Sequence, residues 1–164
     1  MESIKIERIY FENKEGYNVI IGQSHFIKTV EDIYEAIVTA SQSIKFGVAF
    51  NEASGTRLIR YDGNDDRAVN SAIDIAKRIG AGHVFCVVLT QGYPINILDR
   101  IKGVEEVVSL YISTANDFSV VIADDEKEGR GVLGVIDGKS PKGVEDDQEK
   151  SKRHKFLRDI GYKR

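Results

Sequence analysis

Apolar and polar residues alternate over 4–11 (IKIERIYF) and recur densely over 17–23 (YNVIIGQ), a pattern that predicts two strands. The polar turn ENKEG joins them, and its Gly16 can supply a positive φ. From Thr29 the period lengthens. Val30, Ile33 and Ile37, with Ala36 or Ala40, repeat at helical spacing to about Ser41, with Thr29 as cap and Asp32 three residues on. Residues 44–51 (IKFGVAFN) and 56–61 (TRLIRY) predict a strand pair linked through Ser54 and Gly55. A second helix starts at Asn64 or Asp65, carries Val69, Ile73, Ala76 and Ile79 on one face, and ends at Gly80 and Gly82. Residues 83–89 (HVFCVVL) are almost uniformly apolar, as in a central strand covered on both faces. A short helix over 95–102 follows, then strands over 107–113, 118–123 and 131–136. Residues 137–145 have no period and read as a loop. A charged helix over 145–160 closes the chain, with Phe156, Leu157 and Ile160 as its apolar contacts.

Hairpins mixed with helices point to an α+β fold: a single compact domain over residues 1–164, with a mixed or mostly antiparallel sheet and packed helices. A strand pair joined by a tight turn cannot be parallel, because a parallel pair needs a long crossover. The 164 residues suit one domain and a sizeable core. Hydrophobic residues make up 41% of the chain, and no apolar run reaches the roughly 18 residues of a membrane helix. MESIKIERIYFENKEG interleaves acids and bases and lacks the apolar stretch of a signal peptide, so a cytoplasmic protein without a membrane partner is expected. The net charge of −3 argues against a nucleic-acid partner, which a basic surface would attract. The single cysteine, Cys86, sits in VFCVVL and reads as a buried, inert thiol.

Two phosphate motifs fail on context. Gly129 to Gly134 satisfies G-x-G-x-x-G, but a charged turn precedes it and a strand, VLGVID, follows where a helix N-terminus is required. Gly138-Lys139-Ser140 ends like a P-loop, yet position 133 is Leu133 where the upstream glycine belongs, and Pro141 removes a backbone donor. Lys139 and Lys142, with Gly138 and Gly143, still form a flexible basic loop that can hold phosphate by charge and backbone N–H groups, or be an ordinary solvated loop. Of three histidines, His83 stands between a glycine-ended helix and the central strand. It reads either as a core histidine satisfied by backbone or as a nucleophile or general base poised near pH 7. His154 lies in a charged stretch, and His25 has no evident partner. Asn51 and Glu52 close one apolar strand, Thr114, Ala115 and Asn116 close another, and Asp137 ends the last. Such strand-end polar residues suit a site edge or simply a turn. No metal-ligand spacing is present.

The blocks FGVAFNEASGTRLIRYDG, IGAGHVF, YPINILDRIKGVEEV, STAN and GRGVLGVIDGKSPKGVE resemble, in order and over nearly the whole chain, the adenosine-specific kinase family. The resemblance implies adenosine and adenine nucleotides as ligands, ATP as cofactor (with Mg²⁺ a candidate companion), a stable phosphohistidine, and a homo-oligomer. Carried over residue by residue, it makes His83 of GAGH the phosphate-bearing residue, with Lys142 and Glu52 as further catalytic positions. Asn51, Ser54 and Asn116 would line the site. Asp137, Gly138, Ser140 and Pro141 of IDGKSPKG would bind ligand at its phosphate end. The implied reaction is in-line attack of neutral His83 on the γ-phosphate of ATP, with Lys142 and loop N–H groups stabilising the equatorial oxygens. Phosphate then passes to adenosine or water. The alternative is a non-catalytic oligomeric module that binds adenosine or AMP.

Overall fold

The structure, a computed structural model, describes residues 3–164; residues 1 and 2 of the expected 1–164 domain lie outside the described residues. The elements run β1 (Lys5–Phe11), β2 (Asn18–Ser24), α1 (Thr29–Ala40), β3 (Lys45–Asn51), β4 (Ile59–Gly63), α2 (Asp66–Ile79), β5 (Val84–Gln91), α3 (Leu98–Lys102), β6 (Val107–Thr114), β7 (Phe118–Asp124), β8 (Arg130–Asp137) and α4 (Asp147–Asp159). A 3₁₀ turn, Pro94–Asn96, precedes α3. The fold is α+β, as its period changes predict, but the strands divide into two sheets. One has five strands in the order β4-β3-β5-β2-β6 and the other three in the order β1-β7-β8; every pairing is antiparallel.

β5 occupies the middle of the larger sheet, and both its faces are covered. Phe85, Val87 and Leu89 join Ile33 and Ile37 of α1, Ile101 of α3 and Phe46 of β3 on one side. Val84, Cys86 and Val88 meet Ala72, Ala76 and Ile79 of α2, and Phe118, Val120 and Ile122 of β7, on the other. Two-sided burial is the physical reason the strand carries no alternation. Burial also pushes the Cys86 thiol well above its ordinary pKa, so it is no nucleophile at neutral pH.

Three sequence expectations are corrected. β1 and β2 do not form a hairpin: the ENKEG connection crosses from one sheet to the other. Asn13 fixes that crossing, its side-chain amide donating to the carbonyls of Tyr17 (2.7 Å) and Ala115 (2.9 Å). Its backbone N–H donates to Asp117. β1 therefore lies beside β7, with Phe11 stacked on Phe118. Thr29 does not cap α1; its hydroxyl donates to Ser24 Oγ at 2.8 Å and to the carbonyl of Phe26, inside the buried turn ahead of the helix. Finally, Phe156 and Ile160 of the C-terminal segment are not core contacts but remain 59% and 46% exposed. By contrast, α2 starts where Asp65 accepts from the N–H groups of Arg67 and Ala68, and it ends on Gly80 in the left-handed region. Gly129 to Gly134 runs from a turn into β8 with no helix after it, as the sequence context requires.

Candidate functional site

β6 and β8 end side by side, and their last polar residues lock together. Thr114 Oγ1 donates to Asp137 Oδ1 at 2.6 Å and accepts from the N–H of Asn116 at 3.0 Å. Asn116 Nδ2 donates to the same Asp137 oxygen at 2.9 Å. Gly138, at φ 58°, turns the chain directly after Asp137. A Cβ there would lie 3.0 Å from Asn116 Nδ2, tighter than an ordinary contact, and the left-handed backbone itself favours glycine. This polar cluster lines a cleft of about 750 Å³ whose apolar wall is Tyr93, Pro94, Ile95, Phe156, Ile160 and Tyr162. Flat aromatic surface facing a few fixed hydrogen-bonding groups is the usual composition of a small-molecule site. Asp137 is the one carboxylate lining it.

Three of the sequence candidates, Asn116, Asp137 and Gly138, meet at this cluster. Ser140, Pro141 and Lys142 follow on the exposed loop between β8 and α4. The aromatic wall escapes a residue-type search for chemistry. Tyr93 and Ile95 belong to the YPINILDRIK block, and the exposed apolar residues of an otherwise charged α4 are the one further signal.

The remaining candidates lie at the other end of the five-stranded sheet. His83 directly precedes β5 at φ 61°. Its N–H donates to the Asn51 carbonyl at 2.7 Å, and its own carbonyl accepts from Ser24 N–H at 3.0 Å. The ring is half-buried, stacked on Phe50 with centroids 5.9 Å apart and set edge-to-face to His25 at 6.3 Å. A non-glycine residue in the left-handed region costs of order 1 kcal/mol or more, and such strain clusters at functional positions. Asn51, 7% exposed, donates from Nδ2 to the carbonyls of Ala76 and Ala81, both at 3.0 Å. Its Oδ1 is buried without a partner. Glu52 accepts from Leu58 N–H (2.7 Å), Arg60 (2.9 Å) and Thr56 (3.1 Å), and these bonds, the backbone one foremost, hold its carboxyl below the usual range. Its charge is thus engaged in the β3–β4 turn that also contains Ser54.

Register measures the separation of the two groups. Thr114 pairs with Val19 and Val107 with Ser24, the residue bonded to His83, so the ends stand a β6 length apart. Because β6 carries two register shifts, the same ends are five residues apart on β2, and five residues of strand span about 17 Å. One copy of the chain does not bring His83 and Asp137 to a common reacting atom.

Residues 9–163 match the family described as adenosine specific kinase. The crystal structure of PH1918 protein from Pyrococcus horikoshii OT3 is 44% identical, covers 99% of each chain and superposes with a TM-score of 0.92. No curated protein matches significantly. The chain therefore belongs to the adenosine specific kinase family, the nucleotide-binding phosphotransferase class that its sequence blocks resemble.

Proposed function

We propose that the chain binds adenosine in the cleft between Tyr93, Phe156 and the Thr114–Asn116–Asp137 cluster, and that ATP supplies phosphate by way of His83. The observation that carries the ligand is the cleft: aromatic surface for a flat base, and fixed amide, hydroxyl and carboxylate groups beside it for the sugar and base edges. In the first step a nitrogen of neutral His83 forms a bond to the γ-phosphorus while the bond to the bridging oxygen breaks and ADP leaves. In the second, an adenosine hydroxyl oxygen forms its bond to phosphorus as the phosphorus–nitrogen bond breaks, its electron pair returns to the ring and leaves His83 neutral, and the hydroxyl proton passes to water. No cluster of three acidic, histidine or cysteine side chains among the described residues forms a metal cage. Mg²⁺ would come on the phosphates of ATP, and Asp137 is the carboxylate that lines the cleft.

His83 and the cleft are a strand length apart, so this reading calls for a homo-oligomer in which His83 of one copy faces the cleft of another. A cytoplasmic setting, where ATP is held, suits it. The same separation favours the second reading, a non-catalytic oligomeric module that binds adenosine or AMP, because in one copy Glu52 is already engaged in its turn. Incubation with γ-labelled ATP, with and without adenosine, separates the two. Acid-labile, base-stable label on the wild type, absent from His83→Asn and chased into AMP by adenosine, is the expected result. Adenosine binding without label or turnover would leave the binding module.

A further inference from the structure

We propose that the groove on the far side of Asn116 is a phosphate-binding extension of the nucleoside cleft, with Arg8 and Lys139 as its cations. The inference rests on the adenosine reading above and names where the phosphates of a bound nucleotide would lie. The groove, about 540 Å³, is lined by Arg8, Tyr10, Asn116, Ser119, Ile136 and Lys139, among others. Asn116 lines both it and the nucleoside cleft, so the two adjoin across one side chain.

The charges there are unusual for this molecule. Three strands carry an arginine: Arg8 in β1, Arg60 in β4 and Arg130 in β8. Arg60 pairs with Glu52 at 2.9 Å and Arg130 with Asp124 at 2.8 Å. Arg8 has no carboxylate within ion-pair range among the described residues. Its Nε donates to Ser119 Oγ at 2.8 Å, and its guanidinium carbon lies 5.6 Å from the Tyr10 ring centre. That hold on one nitrogen leaves the two terminal nitrogens free as a fork, the geometry that grips phosphate oxygens in pairs. Lys139 likewise forms no ion pair among the described residues. The one carboxylate in the groove, Asp117, accepts from Asn13 N–H at 2.8 Å and from Tyr10 O–H at 3.0 Å; these bonds, with the nearby Lys139 charge, hold its carboxyl below the usual range, so it stays ionised beside the two cations. Two cations without a direct ion pair among the described residues outnumber the one carboxylate in the groove, and with an amide beside a nucleoside-sized cleft they suit one or two phosphates. Arg8 lies in the N-terminal strand, outside every sequence block that carries the family resemblance.

Calorimetric titration of the full chain with adenosine, AMP, ADP and pyrophosphate tests this, using the wild type, Arg8→Ala, Arg8→Lys and Lys139→Ala. Each alanine variant should weaken AMP and ADP by about tenfold or more, leave adenosine unchanged and flatten the salt dependence of ADP binding. Arg8→Lys should recover part of the loss. Equal weakening of adenosine and ADP would overturn the proposal, because Arg8 would then act on the fold. So would ADP affinity indifferent to both cations, which would leave adenosine binding in the cleft standing. Pyrophosphate binding that depends on Arg8, from a wild type that ignores adenosine, would make the groove a site for free phosphates and overturn both the extension and the adenosine reading.

Discussion

Gly47 lies where α2 crosses β3, and a Cβ there would stand 2.3 Å from the backbone nitrogen of Val69. The obstacle is backbone, not the end of a movable side chain, so helix and strand would have to part. Gly47→Ala should therefore cost about 3 kcal/mol or more, the upper range of overpacking. Urea denaturation would read this as a lower midpoint at unchanged slope; a loss under about 1 kcal/mol would show that α2 can shift. Nothing in FGVAF marks this glycine as different from one in a turn. Asn51 is the converse case. Its place at a strand end is plain in the sequence, but two distant carbonyls engage its amide and leave its oxygen unpaired, and the end of α2 and the turn after it provide them.

Among the elements, α2 owes its start to one side chain. Asp65 accepts from two N–H groups at the helix start and from Thr90 of β5. The Arg67 guanidinium foremost, and then these bonds, hold the carboxyl at about 2. A depressed pKa contributes stability above the unfolded value of 3.8, lost as pH falls through about 2. Asp65→Ala should cost about 1 kcal/mol at neutral pH. The deficit relative to wild type should shrink between pH 4 and 2, measured as the difference in thermal midpoints; a deficit constant with pH would mean that Asp65 acts by packing and not by charge. The cap was legible because Asp65 precedes an apolar face at helical spacing. The failure at Thr29 has an equally local look and a tertiary cause: its hydroxyl is taken by Ser24 at the end of β2.

For the whole molecule, the decisive distance is that between His83 and the Asp137 cluster. If copies complete each other's sites, a mixture of His83→Asn and a cleft variant such as Asn116→Ala should recover phosphate transfer that neither has alone. Mixed assemblies of two subunits would restore up to about a quarter of the wild-type sites. No recovery from co-expressed, verified mixed assemblies would confine the chemistry to one copy or remove it. No helix among the described residues is long and apolar enough to cross a membrane, in keeping with the hydropathy of the sequence.

Periodicity placed the strands and helices within a few residues because burial of one face or of two leaves a direct trace along the chain, as in the alternation of β1 and the unbroken apolar run of β5. The same local information identified Asn116 and Asp137 as strand-end residues of interest and Gly138 as part of a flexible basic loop, and the sequence blocks identified the family. Which strands pair was not written locally. A turn such as ENKEG is equally good inside a hairpin or between sheets, and Asn13 chose the latter through carbonyls that folding brings to it from Tyr17 and Ala115. Nor could spacing show that His83 and Asp137 lie at opposite ends of a sheet, or that Arg8 and Lys139, 131 positions apart, share one groove. Those relations depend on which strands pair across long sequence separations, and burial of matching apolar faces decides that only in the folded chain.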